Sequence, residues 1–356
     1  NIYMIQIIDN QIFTGGGKRT LWLDALRGFC MFLVVYMHIS NFSIGLGASE
    51  SVVMQVIFTC FLTTFFFISG YVSYKDSEIW TVWHTLLKLK NKFMQLMIPA
   101  VVFYVLYQIC EGKDLLSWID KGFQGYWFLI VLFEVFVVYY MVCMISQLSR
   151  GKFFVIILAV VTTVLVFATF VLPFSVRTKN VFSIVNFAAY MPFFAIGVIS
   201  KVHRNLFEKI LRSEYLFAFG LVVFAVVEWF ICSAHSTDMY AVYGKMGYIM
   251  QISVKYIGTY LLVSVFYRNS DLFERDSIIA KSLCFLGKRT LDVYLLHWFF
   301  IPSVSVLYVY VEGGGNPILE IVFASMIAVV VILGAIASGE VIRNSKYLGN
   351  WLLGAK

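Results

Sequence analysis

Ten long apolar stretches recur along the chain, and each is close to the length that a helix needs to cross the hydrocarbon core of a membrane. The stretches lie near residues 23–44, 52–74, 93–110, 126–146, 153–172, 182–200, 215–234, 248–267, 290–311 and 318–339. The polar segments between them are too short to form a soluble domain on either side. The pattern therefore predicts an all-α, polytopic membrane bundle of about ten transmembrane helices, and any chemistry must take place within it.

The composition of the chain excludes a soluble globular protein. Of its 356 residues, 61% are hydrophobic and only 13% are charged, and the mean hydropathy is +0.85. Soluble domains carry about 25% charged residues, so the composition indicates an integral membrane protein. The six cysteines lie in or beside the apolar stretches without the close spacing of metal ligands, so we expect them to be small buried hydrophobes and expect no metal site.

The distribution of Lys and Arg predicts how the chain crosses the membrane. With the N-terminus placed in the cytosol, 20 of the 27 basic residues fall on the inner side and six on the outer side, and Arg27 lies within a span. Cytosolic loops of membrane proteins show this bias, so we expect both termini to be cytosolic. The net charge of +7 is then explained by topology and anionic lipid, and no nucleic acid partner is expected.

The chain is predicted to contain one membrane domain, residues 23–339, which holds all ten stretches. No internal repeat and no change in composition marks a second domain. Residues 1–22 are predicted to be an N-terminal leader without a fixed structure, and residues 340–356 a cytosolic tail.

The first span carries ionisable residues that are rare in membrane helices. In its segment LDALRGFCMFLVVYMHIS, Arg27 and His38 are eleven residues apart, which places them on nearly the same helix face and roughly 16.5 Å apart along the axis. Asp24 lies one turn before Arg27, close enough to pair with it. Arg27 or His38 alone has an ordinary structural explanation, but their shared face favours a functional groove.

Other spans hold further polar candidates. Ser69 and Gly70 of the second span suit either close helix packing or a hydroxyl that faces a cavity. Glu134 lies about a third of the way into the fourth span, and Trp127 at the outer end of that span fits an interfacial aromatic belt. His297 in the ninth span suits either a structural hydrogen bond or a chemical role.

One inner loop, KDSEIWTVWHTLLKLKNK at residues 75–92, has the pattern of an amphipathic helix. A helix here aligns His84, Lys88 and Lys92 at four-residue intervals on the cytosolic surface of the membrane. Lys90 adds to the same basic cluster. The segment fits either binding to lipid headgroups or an electropositive entrance for a phosphorylated substrate.

Four segments follow one another along the chain: LDALRGFCMFLVVYMH, FFFISGY, YWFLIVLF and LDVYLLHWFF. In this order, and with the arginine and histidine of the first segment at this spacing, they resemble the membrane-bound acyltransferase 3 family, whose members acylate sugars and other acceptors. YMPFFAIGVI and the terminal WLLGAK also fit, so the resemblance runs from Leu23 to the C-terminus.

The resemblance implies a membrane O-acyltransferase of the bacterial cytoplasmic membrane. Such an enzyme moves an acyl group, acetyl by default, from cytosolic acyl-CoA to a hydroxyl of a glycan or glycolipid that is reached from the outer side. His38 would act as general base, in a catalytic set with Arg27 and Asp24. The donor phosphates would be held by Arg27, Lys88, Lys90 and Lys92. The acceptor would be held by Ser69, Trp127, Glu134 and His297.

The third span departs from the family. The family commonly has two arginines three residues apart before a proline at this place, whereas this chain has KFMQLMIP, with Lys92 and Gln95 in their positions. Lysine keeps the charge but loses bidentate recognition of phosphate, and glutamine loses both.

A second class of function fits the same residues. Ten spans with intramembrane Arg, His and Glu also suit a proton-coupled transporter or flippase of a glycan or lipid precursor. The sequence has no inverted repeat and no matching pair of spans broken by Gly or Pro, which favours the enzyme.

Overall fold

The computed structural model describes residues 20–76, 78–234, 239–312, 316–345, 348–349 and 352–353. Within these ranges the chain forms helices and no strand, as the sequence predicts. Most of the predicted leader lies outside the described residues, as does part of the predicted tail.

Seventeen α-helices follow one another along the described ranges. They are α1 Leu21–His38, α2 Val52–Ser73, α3 Val82–Lys92, α4 Ile98–Cys110, α5 Trp118–Lys121, α6 Trp127–Ser146, α7 Phe154–Val171, α8 Val176–Val181, α9 Ile184–Val202, α10 Arg204–Arg212, α11 Glu214–Ser233, α12 Met239–Arg268, α13 Ser270–Glu274, α14 Ile278–Lys288, α15 Thr290–Leu296, α16 Tyr308–Glu312 and α17 Pro317–Asn344.

Nine helical segments of the described chain are long and apolar enough to cross a membrane. A tenth span forms if the sharply bent pair Thr290–Phe300 and Ser305–Val311 is counted as one. The protein is therefore a polytopic helical membrane protein, in agreement with the ten predicted spans. The cytosolic position of both termini stays a prediction.

The ninth predicted span is wrong as a continuous helix. Its two arms meet at an angle of 87°. Pro302 lies between them, and proline cannot continue a helix because it has no backbone N–H and clashes with the preceding turn. The apolar run alone does not reveal such a break, because both arms are as hydrophobic as a straight span.

The amphipathic helix of the inner loop begins later than the predicted residue 75. α3 starts at Val82, and Thr81 caps it by accepting a hydrogen bond from the backbone N–H of His84. A Thr side chain at this position satisfies a backbone donor that the helix itself leaves free. His84, Lys88 and Lys92 still fall within the helix, so their four-residue alignment holds.

The described residues divide into two compact units. The first unit contains residues 66–202, and the second unit contains residues 20–65 and 203–337. The end of α17 belongs with the first unit. Arg27, His38 and His297 are therefore in the second unit.

Reciprocal glycine contacts join α2 and α9 in the first unit. Gly70 lies against the backbone carbonyl of Phe194, and Gly197 lies against that of Phe67. A Cβ at either glycine would overlap the facing oxygen. The SGY segment of the second span thus has the packing role that small residues have in membrane helices.

A similar contact fixes α1 in the second unit. Gly28 faces the carbonyl of Leu283 on α14, and Gly287 faces the carbonyl of Asp24. In the most apolar part of the first span, Leu21–Ile44, 78% of the residues are buried within the protein, compared with 17% for the span formed by α7. The helix that carries Arg27 and His38 is therefore enclosed by protein along most of its length.

We expect Gly28→Ala to destabilise the protein by at least about 2 kcal/mol, because the new Cβ would overlap a backbone oxygen that cannot rotate away. The apparent melting temperature in detergent should fall by about 5 °C or more. The matched control is Gly220→Ala in α11, where the nearest atoms to an added Cβ are side-chain atoms at 3.5 Å. Equal stability of the two variants would contradict the packing argument.

Candidate functional site

His38 lies where the first span changes its helical geometry. It is the last residue of α1, and the chain continues without interruption into a π-helical turn, Ile39–Ile44. That turn ends at Gly45, whose φ of +94° suits glycine. π-helical turns are rare and occur frequently at functional sites, because the extra residue in each turn redirects side chains.

Three rings surround His38 in the second unit. The His297 ring lies 5.2 Å away between centroids, with an angle of 26° between the planes. Trp298 lies 4.4 Å from His38 and 5.0 Å from His297. Phe42, from the π-helical turn, lies 5.7 Å from His38. The structure thus brings together two histidines that are 259 positions apart in the printed sequence.

The backbone around His297 fixes which of its nitrogens can accept a proton. Nδ1 lies 2.9 Å from the carbonyl oxygens of Val293 and Tyr294. Carbonyl oxygens only accept hydrogen bonds, so Nδ1 carries the hydrogen and Nε2 carries the lone pair of the neutral ring. His297 is fully buried, and its Nε2 has no hydrogen-bond partner among the described residues.

His38 has a complementary environment. Its side chain is only partly buried, and its Nδ1 is enclosed without a hydrogen-bond partner in the described part of the chain. Buried polar atoms are normally paired, so two unpaired imidazole nitrogens in one cluster indicate a place for a ligand or a water molecule. The arrangement can accept hydrogen bonds, or a proton, from a hydroxyl group.

The broken ninth span positions His297. The residue begins the short 3₁₀ turn, His297–Phe300, that ends the first arm. Beyond the break, the backbone N–H of Val304 donates to the carbonyl of Ser43 in the π-helical turn, at 3.0 Å. Irregular backbone is tolerated at membrane depth where protein groups satisfy it or where it lines a cavity. The two irregular segments therefore meet next to the histidine pair.

Glu320 is a site residue that the sequence analysis missed. It is 3% exposed in the first turn of α17, and its Oε1 accepts hydrogen bonds from Tyr36 at 3.1 Å and Ser40 at 3.3 Å. Its Oε2 accepts one from Ser51 at 2.7 Å. An acidic residue inside a predicted span was an available signal, but its partners are far away in sequence.

The expected pair at the start of α1 forms. Asp24 Oδ1 lies 3.7 Å from Arg27 Nη1, Asp24 is buried, and the Arg27 side chain is 13% exposed. A second pair, Arg289 with Asp292 at 3.6 Å, lies at the start of α15, which packs on α1. Each guanidinium thus has a nearby carboxylate that lowers the cost of its burial.

The lysines predicted to hold the donor lie on α3, in the first unit. Lys88 Nζ lies 2.6 Å from Glu78 Oε1, and His84 Nε2 lies 3.0 Å from the same oxygen. Lys92 lies over the ring of Phe136, 4.1 Å from its centroid, and Lys90 is exposed. Lys88 therefore already has an anionic partner, which the helical pattern did not reveal because Glu78 precedes the helix.

The remaining predicted residues also lie in the first unit. Trp127 stacks on Tyr190 with 5.7 Å between centroids, and Tyr190 stacks on Phe66 at 4.9 Å. Glu134 follows Trp127 by seven residues on α6 and is partly exposed. Ser69 is partly exposed beside Gly70. These residues are not in the unit that holds the histidine pair.

Comparison with known proteins gives one family. A family model described as an acyltransferase domain, that of acyltransferase 3, matches residues 20–338. No curated protein and no solved structure matches the chain. The matched range covers both histidines, Arg27 and Glu320.

The ion pair of the inner loop predicts a pH dependence of stability. Burial alone would raise the pKa of Glu78, but hydrogen bonds from Lys88 and His84 outweigh burial and hold the pKa below the usual value of 4.5. A lowered pKa in the folded state adds stability above the unfolded pKa, and this contribution is lost as the pH falls through the folded pKa.

We therefore expect Glu78→Gln to lower the melting temperature at neutral pH by a few degrees, corresponding to about 1 kcal/mol. The difference from the native protein should begin to shrink near pH 4.5 and vanish once the pH falls below the lower pKa that Glu78 has in the folded protein. Thermal unfolding of both proteins in detergent, from neutral pH to below pH 4.5, measures this difference in melting temperature. A difference that stays constant down to low pH would contradict the role of the carboxylate.

Proposed function

We infer that this chain, which belongs to the acyltransferase 3 family and is a membrane acyltransferase, transfers an acyl group from acyl-CoA to a hydroxyl of a glycan or glycolipid. Acetyl-CoA is the proposed donor, and the acceptor is proposed to arrive from the outer side of a bacterial cytoplasmic membrane. The observation that carries the proposal is the histidine pair: a partly exposed His38 beside a buried His297, each with an unpaired nitrogen.

The proposed reaction uses His38 as general base. The acceptor oxygen attacks the carbonyl carbon of the thioester while His38 takes the hydroxyl proton. The carbon–sulfur bond of the resulting tetrahedral intermediate then breaks, and the CoA thiolate leaves with the proton that His38 received. The products are an ester and free CoA, with no net change in protons.

The two histidines support different parts of this reaction. His38 is the more accessible ring and can contact both reactants. His297 is held by two carbonyl oxygens, so the lone pair of its Nε2 has a fixed direction and can orient the acceptor hydroxyl. Trp298 packs against both rings and limits how they move.

Arg27 is proposed to bind a phosphate of the donor. It lies on the same helix as His38, about three turns away, and its guanidinium can form two parallel hydrogen bonds to a phosphate. Asp24 beside it would orient the guanidinium. The lysines of α3 stay a prediction from the sequence, and Glu78 competes with a donor for Lys88.

A proton-coupled carrier is the second candidate. Glu228 in α11 is 4% exposed, and neither of its oxygens meets hydrogen-bond geometry with the described residues, although Thr59 lies beside it. Together with the broken ninth span, this is a pattern found in ion-coupled transporters. Movement of a glycolipid across the membrane of vesicles that contain the protein, without release of CoA, would favour the carrier.

We expect His38→Ala to lower acyl transfer by about 10²- to 10⁴-fold without loss of folded protein, because a positioned base contributes that much. Purified protein with radiolabelled acetyl-CoA and octyl glucoside, a sugar on a lipid-like tail, provides the assay, with free CoA and labelled acceptor both measured. A total glycolipid extract serves as a second acceptor. His203→Ala, at an exposed histidine, is the matched control. A folded, fully active His38→Ala protein would refute the assignment.

Arg27→Lys should raise KM for acetyl-CoA by about 10-fold and leave kcat within a few-fold, because lysine keeps the charge but lacks the planar fork. One lost hydrogen bond to a charged group is consistent with that loss of affinity. Arg204→Lys, at an exposed arginine paired with Glu208, controls for a general effect of the exchange. An unchanged KM means that Arg27 does not bind the donor specifically.

A further inference from the structure

Glu320 joins three separate segments of the second unit through its carboxylate. Tyr36 belongs to the last turn of α1 and Ser40 to the π-helical turn, and Ser51 is the residue before α2. All four residues are buried. An acidic side chain in the first turn of a helix is also favoured by the helix dipole, which suits the place of Glu320 in α17.

Two of these partners flank His38. Tyr36 precedes it by two residues and Ser40 follows it by two, so the same carboxylate oxygen holds the chain on both sides of the imidazole. The change from α-helix to π-helix takes place between these two contacts. A π-helical turn is intrinsically uncommon, so tertiary contacts must stabilise it here.

The third partner extends the same network to α2. Ser51 donates to Glu320, and its oxygen accepts a hydrogen bond from the backbone N–H of Met54 at 2.9 Å. Ser51 therefore caps α2 and is fixed by Glu320 at the same time. From the other direction, the N–H of Val304 holds the carbonyl of Ser43. The turn after His38 is thus fixed by α17 on one side and by the broken ninth span on the other.

We propose that Glu320 is a positioning residue of the acyl-transfer site, which holds the turn of His38 through Tyr36 and Ser40 without contacting the reactants. The inference rests on the proposed function, in which His38 is the base. Loss of the carboxylate would let the imidazole move relative to His297, and a displacement of about 1 Å can cost about 10²-fold in rate. Binding of the donor, which takes place elsewhere on α1, would be unaffected.

The test compares variants that loosen the His38 turn with one that loosens only α2. Glu320→Leu, which removes both acceptor oxygens, should lower kcat by about 10- to 100-fold and leave KM for acetyl-CoA within about 2-fold. Tyr36→Phe with Ser40→Ala should reproduce that loss. Glu320→Asp, which keeps two acceptor oxygens, should recover part of the rate. Ser51→Ala removes the contact to α2 and should stay within about 3-fold of the native rate.

The readout is kcat and KM per folded protein, with octyl glucoside and acetyl-CoA as reactants and size-exclusion chromatography to quantify folded material. A structural role alone would reduce the amount of folded protein and leave kcat of the remainder unchanged. If Glu320→Leu does not fold, the Tyr36→Phe and Ser40→Ala variant decides, since each change removes only a hydroxyl.

His38→Ala measured in parallel separates the two ways to fail. An inactive His38→Ala protein together with native kcat in the Glu320→Leu variant and in the Tyr36→Phe, Ser40→Ala variant would overturn the positioning role and leave the proposed function intact. A fully active His38→Ala protein would overturn both. An equal loss of kcat in Ser51→Ala would also overturn the positioning role of Glu320, because the effect would then not be specific to the His38 turn.

Discussion

The interior of a membrane supplies no water to a buried polar group, so each such group must find its partner within the protein. Around His38, two groups of the second unit meet this constraint fully. Glu320 accepts hydrogen bonds from three hydroxyls, and Nδ1 of His297 donates to two carbonyl oxygens. Nδ1 of His38 and Nε2 of His297 are two neighbouring nitrogens in this region without a hydrogen-bond partner among the described residues, and the hydroxyl of Ser43 is a third such group. The two nitrogens are the places where a reactant can supply what the protein does not.

Two irregularities of the backbone produce this pair. A straight helix over residues 290–311 would continue His297 along the span, whereas the break after Phe300 ends the first arm close to it. The π-helical turn begins directly after His38. Each irregular segment leaves backbone N–H and C=O groups without a partner in a regular helix. The hydrogen bond from the N–H of Val304 to the carbonyl of Ser43 satisfies one such group from each segment. The irregularities therefore stabilise one another, and neither is independent of the histidine site.

The spans were predictable because hydrophobicity in a membrane protein is a strong and local signal. The shared face of Arg27 and His38 was predictable for a similar reason, since both lie within the unbroken helix α1 and a regular period fixes their angular relation. The fold also agreed with the sequence at Gly70, where small residues allow close packing. These features depend on the residue types within a single segment.

The features that the sequence did not predict depend on contacts between distant segments. Tyr36 and Glu320 are 284 positions apart, so no periodicity links them. The partner of Lys88 lies just before α3, outside the helical repeat that made the lysine conspicuous. The break at Pro302 had a local signal, but the surrounding apolar run outweighed it. Tertiary pairing of polar groups is therefore the part of this structure that a single sequence conceals.

In the second unit, the proposed reactivity of the histidines depends on the pairing of polar groups around them, and that pairing depends on the glycine contacts that bury α1. Contacts at Gly28 and Gly287 enclose α1, which removes its polar face from lipid. His38 is partly buried on this helix, so neighbouring groups hold the part of it that water does not reach. The carboxylate of Glu320 binds the side chains of Tyr36 and Ser40 on either side of His38, whereas the two carbonyl oxygens accept hydrogen bonds from the ring of His297 directly. The His38 ring is thus positioned through the residues on either side of it, and the His297 ring through its own hydrogen bonds.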